Sequence, residues 1–244
     1  MWTPIPRPQT SVDACEATLR EAILGGRIAA GERLPPERVL AEELGVNRVT
    51  VRSALARLQV AGLIAIRQGS GARVQPWQES AGPDVLGSLA AMEDSRAERA
   101  RIGAELLAVR RHLAHAVLEH LGESAPPLET SGFEAALEAF EKAAETGTTA
   151  AVARADLDVV RALLAVTRSP VLQVVMNPIG DVVLRFDDLR DALYRAPDRN
   201  LLGWQGLLAW MRTPDPAMIP HLLEEMKRAD LETIAHLKGD GGQP

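Results

Sequence analysis

The sequence predicts a mainly α protein: an N-terminal winged helix-turn-helix with a small β-hairpin wing, then a C-terminal all-helical bundle. Three observations predict it. Between Leu34 and Leu63 two short runs of helical periodicity flank a tight turn at Gly45. After Gly62 the periodicity changes to two short apolar runs on either side of Gln68-Gly69-Ser70-Gly71. Beyond residue 83, helical patterns punctuated by proline follow one another with almost no strand signal.

Met1–Thr10, with Pro4, Pro6 and Pro8, reads as a mobile arm whose one basic residue is Arg7. Val12–Gly25 is the first helix, with Cys15, Leu19, Ala22 and Ile23 at helical spacing, and Gly25-Gly26 closes it. The next helix follows Pro35 and starts on Pro36, which suits a first helical position; Glu37 complements the positive helix N-terminus. Val39, Leu40 and Leu44 give it an apolar side and Gly45 ends it. Asn47 caps the following helix, where Val51, Leu55 and Leu58 fall at i, i+4 and i+7 and face inward. That phase leaves Arg48 and Thr50 in the protruding first turn, with Arg52 off the apolar stripe. A helix-turn-helix places this end of its second helix against base edges in the major groove. Leu63–Arg67 and Ala72–Val74 then form a hairpin whose glycine-rich tip lets backbone approach a partner closely.

These boundaries give a DNA-binding domain over residues 1–75, a linker over 76–83 (PWQESAGP) and a helical domain over 84–244. Helices are expected at about 84–92, 96–121, 130–146, 148–168, 170–195, 199–212 and 215–238, a pattern that suits antiparallel packing. Pro178 falls inside one of them and predicts a kink. Asp215 and Pro216 are the cap and first position of the last. In the helix from Arg96, the apolar stripe Ile102, Leu106, Val109, Leu113 and Val117 includes Arg110. In the helix from Thr148, the stripe Val152, Val159, Val160, Leu163 and Val166 includes Asp156. A buried charge needs a partner. Either these residues pair with each other or with another core group, or Arg110 faces a cavity and meets an anionic ligand.

Composition narrows the function. Across 244 residues, 46% are hydrophobic and 25% charged, which is ordinary for globular domains. The net charge of −6 is unevenly spread: residues 1–75 hold ten Arg against seven Asp or Glu, while the remainder holds 17 basic and 26 acidic residues. A basic head on an acidic body suits a protein that meets DNA with one end. Aromatic residues at 3% argue against a single-strand binder built on base stacking. Cys15 is alone, so no disulfide forms within the chain. No apolar run reaches membrane-spanning length and no secretory signal opens the chain, so a cytoplasmic location is expected. The sequence carries no GxSxG elbow, Walker loop or HExxH motif, and Gly69-Ser70-Gly71 is too short for a phosphate loop, so an enzyme is not expected.

Residues 12–75 resemble the N-terminal domain of GntR-type bacterial transcriptional regulators, on the words LREAILGGRIAAGERLPPERVLAEELGVNRVTVRSALARLQVAGLI and RQGSGARV. The resemblance implies DNA contacts by Arg38, Arg48, Thr50 and Arg52, with the wing tip at Gln68 and Gly69. The C-terminal half resembles the all-helical effector domain of the FadR branch, on LLAVRRHLA, ADLDVVRALLAVTRSPVL and PWQESAGPDVLGSLAAM. Many members of that branch hold a metal with one Asp and three His. Here Asp156 matches the Asp, but Val160 and positions near Trp204 and Ala229 stand where the His residues belong, so no metal is expected. A metal-free pocket in the branch takes a long-chain acyl-CoA, and Arg110 aligns with an arginine of that pocket. Lys227–Ala235, however, lacks the Gly, Ser and Trp pattern of the acyl-CoA site. The resemblance therefore implies a homodimeric regulator of double-stranded operator DNA without a cofactor. Its effector is a small anion, an acyl-CoA or an organic acid, at Arg110 and Asp156. The alternative is a dimeric DNA-binding or architectural protein that needs no ligand.

Overall fold

A computed structural model describes residues 10–67, 71–124 and 127–239. The expectations for the N-terminal arm up to residue 9, and for Gln68 and Gly69 at the wing tip, lie outside these residues. The chain divides after Met92 into two units.

In the first unit, α1 (Ser11–Leu24) opens with a capping box. Thr10 Oγ1 accepts from the Asp13 amide at 3.2 Å, and the Asp13 carboxylate accepts the Thr10 amide at 2.8 Å. The pair α2 (Glu37–Glu43) and α3 (Arg48–Val60) forms the helix-turn-helix. Gly45 at φ +66° supplies the left-handed turn between them. Asn47 caps α3 as the sequence suggests, accepting the Thr50 amide at 2.8 Å. Strands β1 (Ile64–Arg67) and β2 (Gly71–Val74) pair antiparallel, with Ile64 opposite Val74 and Arg67 opposite Gly71. The 31–34 segment adds to the free edge of β2: the Gly31 amide donates to Val74 and the Leu34 amide to Ala72, each at 2.9 Å. Cys15, Leu19 and Ile23 of α1, Leu40 of α2, Val51, Leu55 and Leu58 of α3, and Ile64 and Val74 of the hairpin share one core.

The expected linker is instead part of this unit. Residues 77–80 form a one-turn helix, α4 (Trp77–Ser80), and α5 (Val85–Met92) follows. Val85 is buried in the core, and Trp77, Ala81, Leu89 and Met92 pack against it. Gly62, at φ +73°, makes the approach possible, because a Cβ there would lie 2.0 Å from the Ser80 carbonyl oxygen. Ser80 Oγ donates to the Gly62 carbonyl at 2.7 Å, and Arg20 reaches Asp84 at 3.2 Å. The proline- and glycine-bearing composition suggested a free tether, but its apolar residues find a surface to cover.

The second unit has helices and no strand among its described residues: α6 (Arg96–Gly122), α7 (Ser131–Thr146), α8 (Thr149–Val166), α9 (Pro170–Arg185), α10 (Asp187–Leu193), α11 (Pro197–Arg212), a 3₁₀ turn (Pro216–Met218) and α12 (Ile219–Lys238). Helix α6 lies along α12, α7 packs on α8 and α11, and α10 bridges α8, α9 and α12. Ser95, Thr148 and Ser169 cap α6, α8 and α9.

Two expectations change here. The single helix over 170–195 is two helices, broken at the buried Phe186, whose backbone (φ −93°, ψ 87°) is not helical. Pro178 stays inside α9; its missing hydrogen bond would run to Val174, on a side of the helix exposed to water. The last helix does not start at Pro216. Asp215 caps the 3₁₀ turn, accepting the Ala217 amide at 2.9 Å, and α12 follows with Pro220 in its first turn.

Candidate nucleic-acid interface and buried polar cluster

The N-terminal end of α3 gathers the expected contact residues. Arg48 and Arg52 are exposed, and Arg38 stands exposed on α2. Arg38 Nη1 donates to Glu42 at 2.7 Å, an i,i+4 pair along one helix. Arg52 reaches back to α2: its Nε and Nη2 donate to the two oxygens of Glu37 at 3.2 and 2.7 Å. The Arg52 guanidinium holds the Glu37 carboxyl below the usual range, with Arg48 adding to the effect. Arg48 has no ion-pair partner among the described residues. Thr50 departs from expectation, because its side chain is turned inward and only 7% of the residue is exposed. The cap at Asn47 sets this rotation: with Val51, Ala54 and Leu58 buried, Thr50 falls at the margin of the inward face. Val49, passed over in the sequence, is 72% exposed in its place. An exposed β-branched residue in the first turn of such a helix is the signal that identifies it, and apolar contact of this kind can read a thymine methyl group.

In the helical unit, Arg110 and Asp156 do sit on buried stripes, although the α6 stripe is rotated from the expected one. Gly103, Leu107, Val117 and Leu121 are buried, while Val109 is half exposed. The two charges do not hydrogen-bond each other. Arg110 Nη2 donates to Asp230 Oδ1 of α12 at 2.7 Å, and Arg111 donates to the other oxygen of the same carboxylate. The buried Nε–H of Arg110 has no hydrogen-bond partner among the described residues.

Asp156 accepts from Trp204 Nε1 at 2.6 Å and from the Tyr194 hydroxyl at 2.8 Å. Burial pushes its carboxyl above the usual range, against the pull of those two donors and of the nearby Arg110. Burial, then the Asp156 charge, pushes the Tyr194 phenol well above its ordinary value. Trp204 is held in turn edge-on by Phe133, with ring centroids 6.0 Å apart. Tyr194, Arg111 and Asp230 were not singled out in the sequence. Asp230 carried a signal, since it falls on the apolar stripe of α12 with Ile234 and Leu237.

The residues present do not fit a metal. Both oxygens of Asp156 are engaged by N–H and O–H donors, and among the described residues no group of three or more His, Cys, Asp or Glu is placed to hold an ion.

Two family models match the chain. The first, of bacterial regulatory proteins of the gntR family, matches residues 12–74; the second, the FCD domain, matches residues 105–229. The chain belongs to the GntR family of transcriptional regulators, with an FCD domain. Within that family it is 36% identical over 167 residues to an uncharacterized HTH-type transcriptional regulator, Rv0494, of Mycobacterium tuberculosis, a match covering 68% of this chain and 66% of that relative. It is 27% identical over 183 residues to the fatty acid metabolism regulator protein of Pectobacterium carotovorum, covering 73% of this chain and 72% of the relative. Among solved structures, a Listeria monocytogenes protein, Lar, described as controlling expression of the agr system, shares this fold. Its TM-score is 0.65 at 16% identity, over 95% of this chain and 98% of that one. No described helix is long and apolar enough to cross a membrane.

Proposed function

We propose that this regulator binds double-stranded operator DNA as a homodimer in the cytoplasm, and that a small organic anion bound in the FCD domain changes its operator affinity. The exposed end of α3, with Arg48, Val49 and Arg52 together, supports the DNA reading. Two copies would read half-sites about one helical turn, or a multiple of it, apart. The Nε–H of Arg110 supports the effector reading: it is a buried donor left open beside Asp230, and a carboxylate or thioester oxygen could accept from it. The relatives described as fatty acid metabolism regulators make a long-chain acyl-CoA the first compound to try.

The test is binding to the DNA upstream of the protein's own gene, at fixed salt, with and without long-chain acyl-CoA. Release by acyl-CoA in the wild type, and its loss in Arg110→Ala with DNA binding retained, is the expected result. Tight binding that ignores acyl-CoA and a panel of organic acids would leave the second reading, a dimeric DNA-binding protein that needs no ligand. The donors already seated on Asp156 and the shared carboxylate of Asp230 favour that alternative, since both acids are satisfied within the chain.

A further inference from the structure

We propose that Val49 is a thymine-reading residue of α3, its side-chain methyls set against the C5-methyl group of one thymine in each half-site. The proposal rests on the DNA-binding reading above and adds to it a contact made by an uncharged side chain.

Val49 is 72% exposed, in the first turn of its helix. It stands about half a turn of helix away from Val51 and Leu58, which are fully buried, so it points away from the core. Ser53, Ala56 and Val60 follow along the same outer ridge at helical spacing, none of them charged. The arginines lie to the flanks. Arg48 and Arg52 are on one side; on the other is Arg57, engaged by Asp13 and Glu16 of α1 at 2.6 and 3.2 Å. A helix laid in the major groove by its N-terminal end puts that outer ridge deepest. The small side chains of Ser53 and Ala56 then let the helix backbone come close.

Packing does not account for a valine at this position. It buries little, and a β-branched residue is a weaker helix former than alanine. What it offers is a pair of methyls held in one preferred χ1 rotamer. The rotation of the helix is fixed too, by Asn47 accepting the Thr50 amide at 2.8 Å and by Thr50 turned inward. A side chain with no donor or acceptor cannot satisfy a base-edge N–H, a carbonyl or a phosphate oxygen, and would strip water from them without return. The thymine methyl is the one apolar group that the major-groove edges present. Val49 therefore selects thymine over cytosine, whose N4 amino group would lose its water against the valine.

The experiment starts from the duplex that the wild-type protein selects from a random DNA library. Each thymine is then replaced singly by deoxyuridine, which pairs in the same way and lacks only the C5-methyl group. Binding is measured at fixed salt for wild type and Val49→Ala, beside a thermal melt of each. In the wild type, one position per half-site is expected to lose about fourfold in affinity, the worth of burying one methyl-sized group. Val49→Ala is expected to weaken binding to the thymine duplex by a similar factor, to be indifferent to deoxyuridine at that same position, and to keep the wild-type thermal midpoint. A wild type indifferent to every deoxyuridine would overturn the proposal. So would an equal loss at that position in wild type and Val49→Ala, because another residue would then hold the methyl. In both cases DNA binding itself still stands. Failure of the wild type to select any site would instead sink the DNA-binding reading.

Discussion

The hydroxyl of Tyr194 lies 2.8 Å from a carboxylate oxygen of Asp156, and both residues are buried. The bond favours the charged form of Asp156 in a place where burial disfavours it. With the Trp204 N–H on the other oxygen, it lets an acid sit in a helical core with no hydrogen-bonded cation.

Removing that hydroxyl isolates the acid. Tyr194→Phe should destabilise the protein by about 1–3 kcal/mol near neutral pH, measured by denaturant unfolding. The pH dependence has a definite sign. Asp156 has a folded pKa raised above its unfolded value, so its contribution to stability is full below the unfolded value and falls as pH rises through the folded one. The variant raises the folded pKa further. The gap in thermal midpoint between wild type and Tyr194→Phe should therefore narrow on acidification from about pH 7 towards pH 4. A gap that stays constant over that range would contradict the assignment.

Asp230 carries two arginines. Asp230→Asn leaves Arg110 and Arg111 without a counter-charge on α12, and it should cost on the order of 3 kcal/mol. Arg110→Ala should cost less, because Arg111 still engages Asp230. Unfolding midpoints of the ligand-free variants order the two.

Arg48 should behave as a DNA contact, being exposed in the first turn of α3. Arg48→Ala is expected to weaken operator binding by about tenfold or more without lowering the thermal midpoint. Gel-shift titrations at fixed salt, beside a thermal melt of the same variant, read this directly. Unchanged operator affinity would remove Arg48 from the interface.

Gly62 tests the docking of the segment after the hairpin. Gly62→Ala puts a methyl against the Ser80 carbonyl and strains a left-handed residue, so it should cost more than about 1 kcal/mol. Amide exchange should quicken across residues 77–92 before it quickens in α3. Uniform exchange through the whole unit would show that the segment is not a separable layer.

The winged helix was legible in the sequence because its signals are local: a cap at Asn47, a glycine at the turn, an inward stripe on α3 and a change of period after Gly62. The helix boundaries of the second unit were legible where glycine or proline falls between periodic runs, as at Gly147 and Pro170. The break at Phe186 was not, because no proline or glycine signals it and a buried aromatic sets it. The fate of residues 76–92 was hidden for a related reason, since whether apolar residues dock depends on a surface distant in sequence. Among the site residues, Arg110 and Asp156 stood out as charges on apolar stripes. Their partners Tyr194, Trp204 and Asp230 come from α11, α12 and the turn after α10, contacts that periodicity within one helix does not encode. Thr50 was misplaced by a small rotation of α3, enough to exchange its exposure with Val49.

The layer formed by residues 77–92 also decides where this protein can be divided. A fragment ending at Gln75 would keep every element of the helix-turn-helix and hairpin, yet would strip Trp77, Val85, Leu89 and Met92 from the core they cover. Such a fragment would carry a bare apolar face and tend to aggregate. Cutting after Met92 would keep that face covered, so a fragment meant to fold alone is expected to run past the recognition motif to that point.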